Sequence, residues 1–419
     1  MMILKTWASG RSKTDFRITP ARQAQRGFTM IELMIGIVLG LLIMVALSEL
    51  FVNITRTNSE MAKTNAQIEN GRFAIQLLGG DIAHGGFWGG YVPKFDDLTV
   101  PATGYDGTTM APSAVPDPCL AYASWDAAYR NNLLAIPVQS YESAPAACAA
   151  VVANQKAGTD VLVVRHIETC LPGVGDCEAD TAGKLYFQPS SCELEIAGGQ
   201  DFVLNTTGFN TLGTGLHQRD CVGTGTTPAA LPITSGAFAD KRKFISSIYY
   251  VRDYAVTAGD GIPTLVRSRF DLVGGALAHQ PAEALIEGIE GFRVELGIDN
   301  RGDAGTVVDY TKAVVWTDPL TRVAPMNRGD GIPDEYVRCT AASPCTATAP
   351  TGTAAQLPNV VAVKLYVLAR NRDITVGYTD NKTYALGATT LGPFNDHYKR
   401  HVFSTSVRLT NVSGRRETP

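Results

Sequence analysis

One apolar run that follows directly after a basic leader constrains this chain most: RGFTMIELMIGIVLGLLIMVALSELF, at residues 26–51. Residues 33–48 are uncharged and would span about 24 Å as a helix, which approaches the ~30 Å hydrocarbon thickness of a bilayer. The 27 residues of the leader hold six basic residues and one acidic residue. By the positive-inside rule, we expect the leader to stay in the cytoplasm while the rest of the chain crosses the membrane.

The order of leader and apolar run differs from that of a secretory signal peptide, in which the apolar core precedes the cleavage site. Here the polar leader stops at Gly27 and the apolar run starts at Phe28. A cut between these two residues would therefore leave the membrane segment on the mature protein.

Glu32 is a carboxylate inside this apolar run. A charge deep in a membrane helix costs about 2.5–3.5 kcal/mol, so such a residue usually has a partner or a function. Two explanations stay open. Glu32 can lie close enough to the helix start to reach the interface and to interact favourably with the helix dipole, or it can await a positive partner.

At Gly27, Phe28 and Glu32 the chain resembles a type IV prepilin. That resemblance implies cleavage by a prepilin peptidase after Gly27 and N-methylation of Phe28. It also implies that Glu32 pairs with the terminal amine of a neighbouring subunit during assembly into a filament. An amine and a carboxylate attract strongly in a medium of low dielectric constant.

A long helix is predicted over residues 28–78. Apolar residues or glycine recur every seven positions from Leu33 to Ile82, and no proline occurs between Phe28 and Pro93. The first half is apolar all round, whereas the second half is amphipathic and should pack its apolar face on the globular body. The glycine pair at residues 79–80 is expected to end the helix.

Eight cysteines lie beyond the apolar run, and none of them belongs to a C-x-x-C pair. This spacing favours disulfides in an oxidising compartment over zinc or redox sites. Closure between neighbours in the sequence is the simplest pairing: Cys170 with Cys177, Cys339 with Cys345, Cys192 with Cys221 and Cys119 with Cys148.

Five β-rich runs follow residue 241, at 244–253, 263–270, 290–299, 360–370 and 401–411. Their alternation predicts an antiparallel sheet, and a long helix lying on such a sheet gives an α+β fold. Residues 92–239 contain short apolar runs between proline-rich and glycine-rich loops, with six of the cysteines. They give little functional signal.

The runs ISSIYYVRD, AEALIEGIEGFRVELGID, AVKLYVLAR and YKRHVFSTSVRLTN, with DIAHGGFWG after the helix, resemble the PilW family of minor pilins. The resemblance implies a type IV pilin-like fold with a large disulfide-containing insertion. We therefore expect a cleaved leader at 1–27, a pilin helix at 28–80 with its membrane segment at 28–52, a cysteine-containing elaboration at 81–240 and a β-rich pilin domain at 241–419.

Half of a calcium-binding loop is present in MNRGDGIPDEYV, residues 326–337. Asp330 and Asp334 occupy ligand positions of the D-x-[DN]-x-[DN]-G pattern, and Asn327 is a further candidate ligand. The first two ligand positions and the closing glutamate of that pattern do not match. An acidic turn between strands is the alternative, and no other cofactor is expected.

Charge and motifs exclude several function classes. Beyond the leader, 30 basic and 39 acidic residues give a net charge of −9, which argues against a general nucleic-acid-binding surface. No nucleophile, zinc-protease or phosphate-loop motif occurs, so catalysis has no support from the sequence.

The expected function is that of a minor pilin that primes type IV pilus assembly and joins the pilus, at its tip, for adhesion and twitching motility. A pseudopilin of a type II secretion system is the first alternative, and a membrane-anchored hydrolase or metal-dependent binding protein is the second. Family membership implies other partners besides the peptidase: other minor pilins, the major pilin, the inner-membrane assembly platform and a large tip adhesin. The expected location is the inner membrane with a periplasmic body, and then the extracellular pilus.

Overall fold

The structure, a computed structural model, describes residues 27–100, 102–103, 105–211, 213–223, 233–323, 325–347 and 356–417. The predicted leader lies outside the described residues, apart from Gly27. The chain forms two compact units, Met1–Ser59 and Glu60–Pro419. The second unit is called the body below.

The first unit is described from residue 27 and consists almost entirely of the beginning of helix α1, which spans Met30–His84. Every described residue up to Ser59 is exposed. This stretch is long and apolar enough to cross a membrane, and no part of it is buried by the rest of the described chain. An apolar helix without protein around it is suited to lipid or to contact with other helices.

Within the body, α1 buries one narrow stripe of residues. Its members are separated by four, three, four and four positions, which places them on a single helix face: Gln67, Gly71, Ala74, Leu78 and Ile82. The predicted packing of the amphipathic half is therefore present.

The seven-residue repeat did not identify the buried stripe. Met61 is 56% exposed and Ile75 is only partly buried, whereas Ile82 is fully buried. A straight helix has 3.6 residues per turn, so a seven-residue repeat drifts by about 20° per heptad and leaves the core-facing side. Gly71 and Ala74 lie on the core-facing side instead, because small residues let the helix approach the sheet closely.

The prediction that the glycine pair at residues 79–80 ends the helix is wrong, because α1 continues to His84. Leu78 and Ile82 are fully buried on either side of the pair. Their packing outweighs the roughly 1 kcal/mol by which a helical glycine is disfavoured relative to alanine. The chain turns away after the helix at Gly86, which has a φ of 76°.

The remaining elements of the body are short helices and strands. The helices are α2 Gly107–Met110, α3 Ala127–Ala135, α4 Glu193–Ala197 and α5 Thr410–Ser413. The strands are β1 Val138–Tyr141, β2 Val161–Ile167, β3 Tyr186–Pro189, β4 Phe202–Asn205, β5 Val222–Gly223, β6 Ile233–Ser235, β7 Arg242–Arg252, β8 Thr264–Val273, β9 Ala276–His279, β10 Glu283–Glu287, β11 Ile289–Ile298, β12 Glu335–Val337, β13 Val360–Arg370, β14 Tyr384–Leu386, β15 Thr389–Leu391 and β16 Arg400–Arg408.

The five predicted β-rich runs correspond to β7, β8, β11, β13 and β16, but they divide between two sheets. The first sheet has the order β1-β2-β7-β3-β4, and β8 joins it by pairing with β7, β9 and β10. The second has the order β12-β11-β13-β16. Pairing is antiparallel throughout both sheets, as expected.

One hydrophobic core joins α1 to both sheets. Leu78 of α1 lies in the same buried cluster as Leu162 and Val251 of the first sheet and Phe292 and Val363 of the second. The observed class is therefore α+β, with a long apolar N-terminal helix whose second half packs on antiparallel sheets.

The predicted elaboration at residues 81–240 is not a separate unit. It supplies β1 to β4 to the sheet that contains β7 and β8, and no boundary between compact units falls near residue 240. An aromatic cluster also crosses the predicted boundary: Trp88 stacks on Phe244 with the ring centroids 6.1 Å apart, and Trp125 stacks on Phe270 at 5.0 Å.

Candidate functional site

The N-terminus of α1 is capped by reciprocal hydrogen bonds between Thr29 and Glu32. The Thr29 hydroxyl accepts a hydrogen bond from the Glu32 backbone N–H at 3.3 Å. The Glu32 carboxylate oxygen Oε2 accepts from the Thr29 backbone N–H at 3.0 Å and from the Thr29 hydroxyl at 2.9 Å. This is a capping box, which satisfies two backbone N–H groups that a helix start otherwise leaves unpaired.

The capping box gives Glu32 a local role in the single chain that neither explanation from the sequence included. Both hydrogen bonds from Thr29 fall on the same oxygen, Oε2, and the residue is exposed. A cation from another molecule can therefore approach the other oxygen, Oε1, without disturbing the cap. The two explanations of Glu32 are compatible in this geometry.

The predicted cleavage point precedes this cap and is accessible. Among the residues that the structure describes, a Cβ atom built on Gly27 would meet nothing within 4 Å, and Phe28 is 86% exposed. The peptide bond between these two residues is therefore open to an enzyme. Cutting it would place a new amino group one residue before Thr29, at the positive end of the helix dipole.

The eight cysteines form four disulfides between neighbours in the sequence, the same pairs as the spacing predicts. These are Cys119–Cys148, Cys170–Cys177, Cys192–Cys221 and Cys339–Cys345. The group of ligand-type residues that comes within 4.8 Å in the described chain, Asp117 with Cys119 and Cys148, consists partly of disulfide sulfurs. It therefore lacks free thiolates for a metal.

The candidate calcium ligands serve as hydrogen-bonding groups within their loop. The Asn327 amide oxygen accepts from the Val315 N–H at 2.8 Å. Asp330 accepts from the Ile332 N–H at 2.8 Å, and Asp334 accepts from the N–H groups of residues 300 and 301 at 2.7 and 2.8 Å. These contacts fit the acidic-turn alternative. The calcium site stays a prediction.

The carboxylates of this loop repel one another. Burial raises the pKa of Asp330, and the charges of Asp303 and Asp334 raise it further, against the hydrogen bond from Ile332 that lowers it. A cation would relieve this repulsion, but like-charged carboxylates at a loop surface are also common without one.

Two polar clusters that the sequence analysis missed hold the second half of α1 against the rest of the body. In the first, Asp81 accepts hydrogen bonds from His166 Nε2 and from the Tyr249 hydroxyl, both at 3.0 Å. Burial lowers the pKa of His166, but the Asp81 carboxylate more than compensates and the net shift is upward. The DIAHGG segment contains Asp81, yet nothing in the sequence reveals its partners on β2 and β7.

The second cluster lies at the first residue of the body. Glu60 accepts hydrogen bonds from Lys399 at 2.9 Å, from Thr375 at 2.7 Å and from Lys63 at 3.0 Å. The hydrogen bonds from Lys399 and Thr375 lower the pKa of Glu60 to about 2. Its partners at 375 and 399 lie more than 300 positions away in the sequence, so no local pattern could predict this cluster.

Comparisons with known proteins match both ends of the chain. The family model described as Type IV Pilus-assembly protein W matches residues 248–411, and the one described as Prokaryotic N-terminal methylation motif matches residues 22–48. A solved type IV-like pilin from Thermus thermophilus is similar at 14% identity and a TM-score of 0.24, over 61% of this chain and 80% of that chain. That score carries no further argument. A search of curated proteins gave no match.

The methylation motif covers Gly27, Phe28 and Glu32, and the PilW match begins within β7 and ends just beyond β16. Between them lies a helix whose apolar half is exposed and whose second half packs on antiparallel sheets. The two matches and this helix together support a PilW-family type IV pilin.

Proposed function

We propose that this chain is a minor pilin that primes assembly of a type IV pilus and becomes part of the pilus, at its tip. A prepilin peptidase cuts between Gly27 and Phe28 and methylates the new amino group of Phe28. The mature chain waits in the inner membrane and then enters the filament through the apolar half of α1.

The observation that carries this proposal is the combination of a methylation motif with a PilW domain in one chain. The motif alone is also compatible with the pseudopilin alternative. The PilW match favours the pilus, because that family is described as a type IV pilus-assembly protein.

The chemistry of assembly follows from the helix start. In a bilayer, an exposed carboxylate at Glu32 is costly, whereas a neighbouring subunit's amino group at Phe28 neutralises it. The attraction is strong only when the two groups are close and shielded from water, so it rewards correct register between subunits. The capping box keeps the carboxylate at one defined place for this contact.

The location follows from charge and disulfides. The basic leader favours the cytoplasmic side, which sends the body into the periplasm. An oxidising periplasm allows the four disulfides of the body to form. Its partners there are other minor pilins, the major pilin, the inner-membrane platform and a large tip adhesin.

Two substitutions in the native host test processing and assembly separately. Gly27→Arg should block leader removal, seen as an unprocessed band by intact-mass analysis. Glu32→Val should be cut normally but should assemble poorly, seen as a loss of surface pili. Glu69→Val, which removes an exposed acid of the same helix within the body, is the matched control and should leave both steps intact. Normal pilus numbers with Glu32→Val would contradict the proposed role of this carboxylate.

Deletion of the chain distinguishes a pilin from a pseudopilin. Loss of surface pili and twitching supports the proposal, whereas loss of exoprotein secretion with normal pili supports the type II secretion alternative. Immunogold labelling of sheared pili tests tip position: gold particles at one end support it, and particles along the shaft contradict it.

The hydrolase or metal-binding alternative makes a different prediction. Asp330→Ala combined with Asp334→Ala should leave processing and pilus assembly unchanged if the loop is only an acidic turn. Normal assembly with lost turnover of a periplasmic substrate would favour the alternative.

A further inference from the structure

In the turn after β13, two aliphatic side chains are exposed while two polar side chains are buried. Ile374 is 46% exposed and Val376 is 73% exposed, whereas Thr375 between them is 7% exposed and Asn371 is 2% exposed. Water-soluble loops normally show the opposite order, with polar side chains outward. Two exposed aliphatic residues beside a buried threonine form a small apolar surface that another apolar phase could cover.

This turn is held rigidly against the first helical turns of the body. The Thr375 hydroxyl donates to Glu60 at 2.7 Å, and Lys63 Nζ donates to the Ile374 carbonyl at 2.9 Å. The Tyr378 N–H closes the turn by donating to the Thr375 carbonyl at 3.1 Å. The exposure of the aliphatic side chains is therefore fixed by contacts on the opposite side of the backbone.

The tight turn itself requires glycine. Gly377 has a φ of 80°, the left-handed conformation that the third residue of a type II turn needs. Val376 precedes it at the tip, where its side chain is 73% exposed. Ile374 and Val376 therefore form a small apolar tip, and the contacts with Glu60 and Lys63 hold the turn that carries it.

Helix α1 tethers this tip close to the membrane. Glu60, which holds the turn, follows the last apolar residue of the membrane segment, Val52, by eight positions in the same helix. Eight helical residues rise by about 12 Å. The polar layer of one leaflet is roughly 5–8 Å thick. Chain connectivity alone therefore limits how far Glu60 can lie from the end of the membrane segment.

Charged side chains of both signs lie beside the tip. Arg372 pairs with Glu287, Lys63 and Lys399 pair with Glu60, and Asp373 is exposed directly before Ile374. Long basic side chains can lay their aliphatic stems on an apolar surface. The tip carries no excess of positive charge, so its aliphatic residues are the groups that a lipid contact would bury.

We propose that the 374–376 turn docks on the phospholipid surface that α1 enters, with Ile374 and Val376 inserted among the headgroups. This inference rests on the membrane-anchored form given under "Proposed function" and adds a second contact to it. The docked turn orients the body over the membrane before the subunit enters a filament.

The test uses the full-length protein in phospholipid nanodiscs at one copy per disc. Every native cysteine is in a disulfide, so a new cysteine can be labelled selectively with a nitroxide. One variant carries Val376→Cys, and the control carries Val256→Cys, at a position that is 82% exposed in the loop between β7 and β8. The measurement is the ratio of label collisions with oxygen to collisions with a water-soluble nickel chelate.

The expected ratio is several-fold higher for the label at Val376 than for the label at Val256, because oxygen concentrates in lipid and the nickel chelate does not. Adding Ile374→Ser to the Val376→Cys protein should lower its ratio toward the control value. Adding Leu320→Ser, at an exposed residue of another loop, should leave the ratio unchanged.

Two results would overturn the proposal. Equal ratios at the two labelled positions, whether high or low, would mean that the turn makes no specific lipid contact. A raised ratio at Val376 that appears only with two copies per disc would mean that a second copy covers the turn. Failure of the chain to co-elute with discs would instead contradict membrane anchoring itself, so the two inferences fail in distinguishable ways.

Discussion

Replacement of Arg416 by methionine should destabilise the body strongly. This arginine is 1% exposed, and its guanidinium donates to Asp96 at 2.9 Å and to Asp299 at 3.2 Å. It also donates to the Tyr310 hydroxyl at 2.9 Å. Both carboxylates are themselves buried, so methionine would leave Asp299 without its cation in the core and Asp96 with Arg415 alone. Breaking a buried ion pair in this way costs about 3–5 kcal/mol of unfolding free energy.

The loss of unfolding free energy caused by Arg416→Met should increase with pH. Burial raises the pKa of Asp299 to about 6, although the charge of Arg416 opposes that rise. A carboxyl group with a higher pKa in the folded state binds its proton more tightly there, so its contribution to stability falls as pH rises from about 4 to 6. Without Arg416 the pKa of Asp299 rises further, and this fall extends to higher pH. The cost of the substitution should therefore be larger at neutral pH than near pH 5.

Urea unfolding of the full-length protein in detergent, followed by tryptophan fluorescence, measures both effects because Trp88 and Trp125 are buried. The matched control is Arg408→Met. Arg408 pairs with Glu417, and both side chains are about half exposed, so this change should cost only about 0–1 kcal/mol. Equal losses from the two substitutions, or a loss from Arg416→Met that is the same at both pH values, would refute the reasoning.

Two further predictions concern the helix and the acidic loop. Gly71→Ala should cost about 1–3 kcal/mol in the same urea assay, because the new Cβ would overlap the Phe403 ring. Gly80→Ala, where a Cβ meets nothing within 4 Å, should be neutral or stabilising by up to about 1 kcal/mol; equal losses at the two glycines would contradict the packing argument. For the loop, the contacts of Asp330 and Asp334 with backbone N–H groups lead us to expect no saturable heat when calcium is titrated to millimolar concentration. Saturable heat that disappears with alanine at both positions would establish the site.

The features that the sequence predicted well are those that local patterns encode. The alternation in residues 360–370 and 401–411 predicts strands; β13 has the bounds of the first run, and β16 begins one residue before the second and ends three residues before its end. The absence of proline and the apolar run predict the helix. Neighbouring cysteines such as Cys339 and Cys345 close short loops, so their pairing needs little information beyond spacing.

The features that the sequence did not predict depend on contacts between distant residues. Alternation shows that a strand has a buried face but not which strand lies beside it, so the division into two sheets was missed. The contacts of Glu60 with Lys399 and of Arg416 with Asp96 each join residues more than 300 positions apart. From the sequence alone, charged residues such as these are predicted to be exposed to solvent. Only the fold shows that a distant partner neutralises them.

The same limit explains why the segment at residues 81–240 looked separate. Its strands are short, and β1, β3 and β4 have only four residues each, too few for a clear periodic pattern. Its significance emerges from pairing: Leu162 of β2 lies opposite Tyr249 of β7, and Tyr186 of β3 lies opposite Lys243.

The region that matches the PilW model therefore does not contain all the strands of the sheet to which β7 belongs. It begins at residue 248, inside β7, whereas the partners of that strand in β2 and β3 come from residues 161–189. Arg416, just beyond the match, reaches back to Asp96 and ties the end of the chain to the segment after α1. The family domain, the intervening segment and the second half of α1 consequently form one cooperative core. Whatever surface residues 92–239 offer to a partner therefore belongs to the same packed core as the family domain.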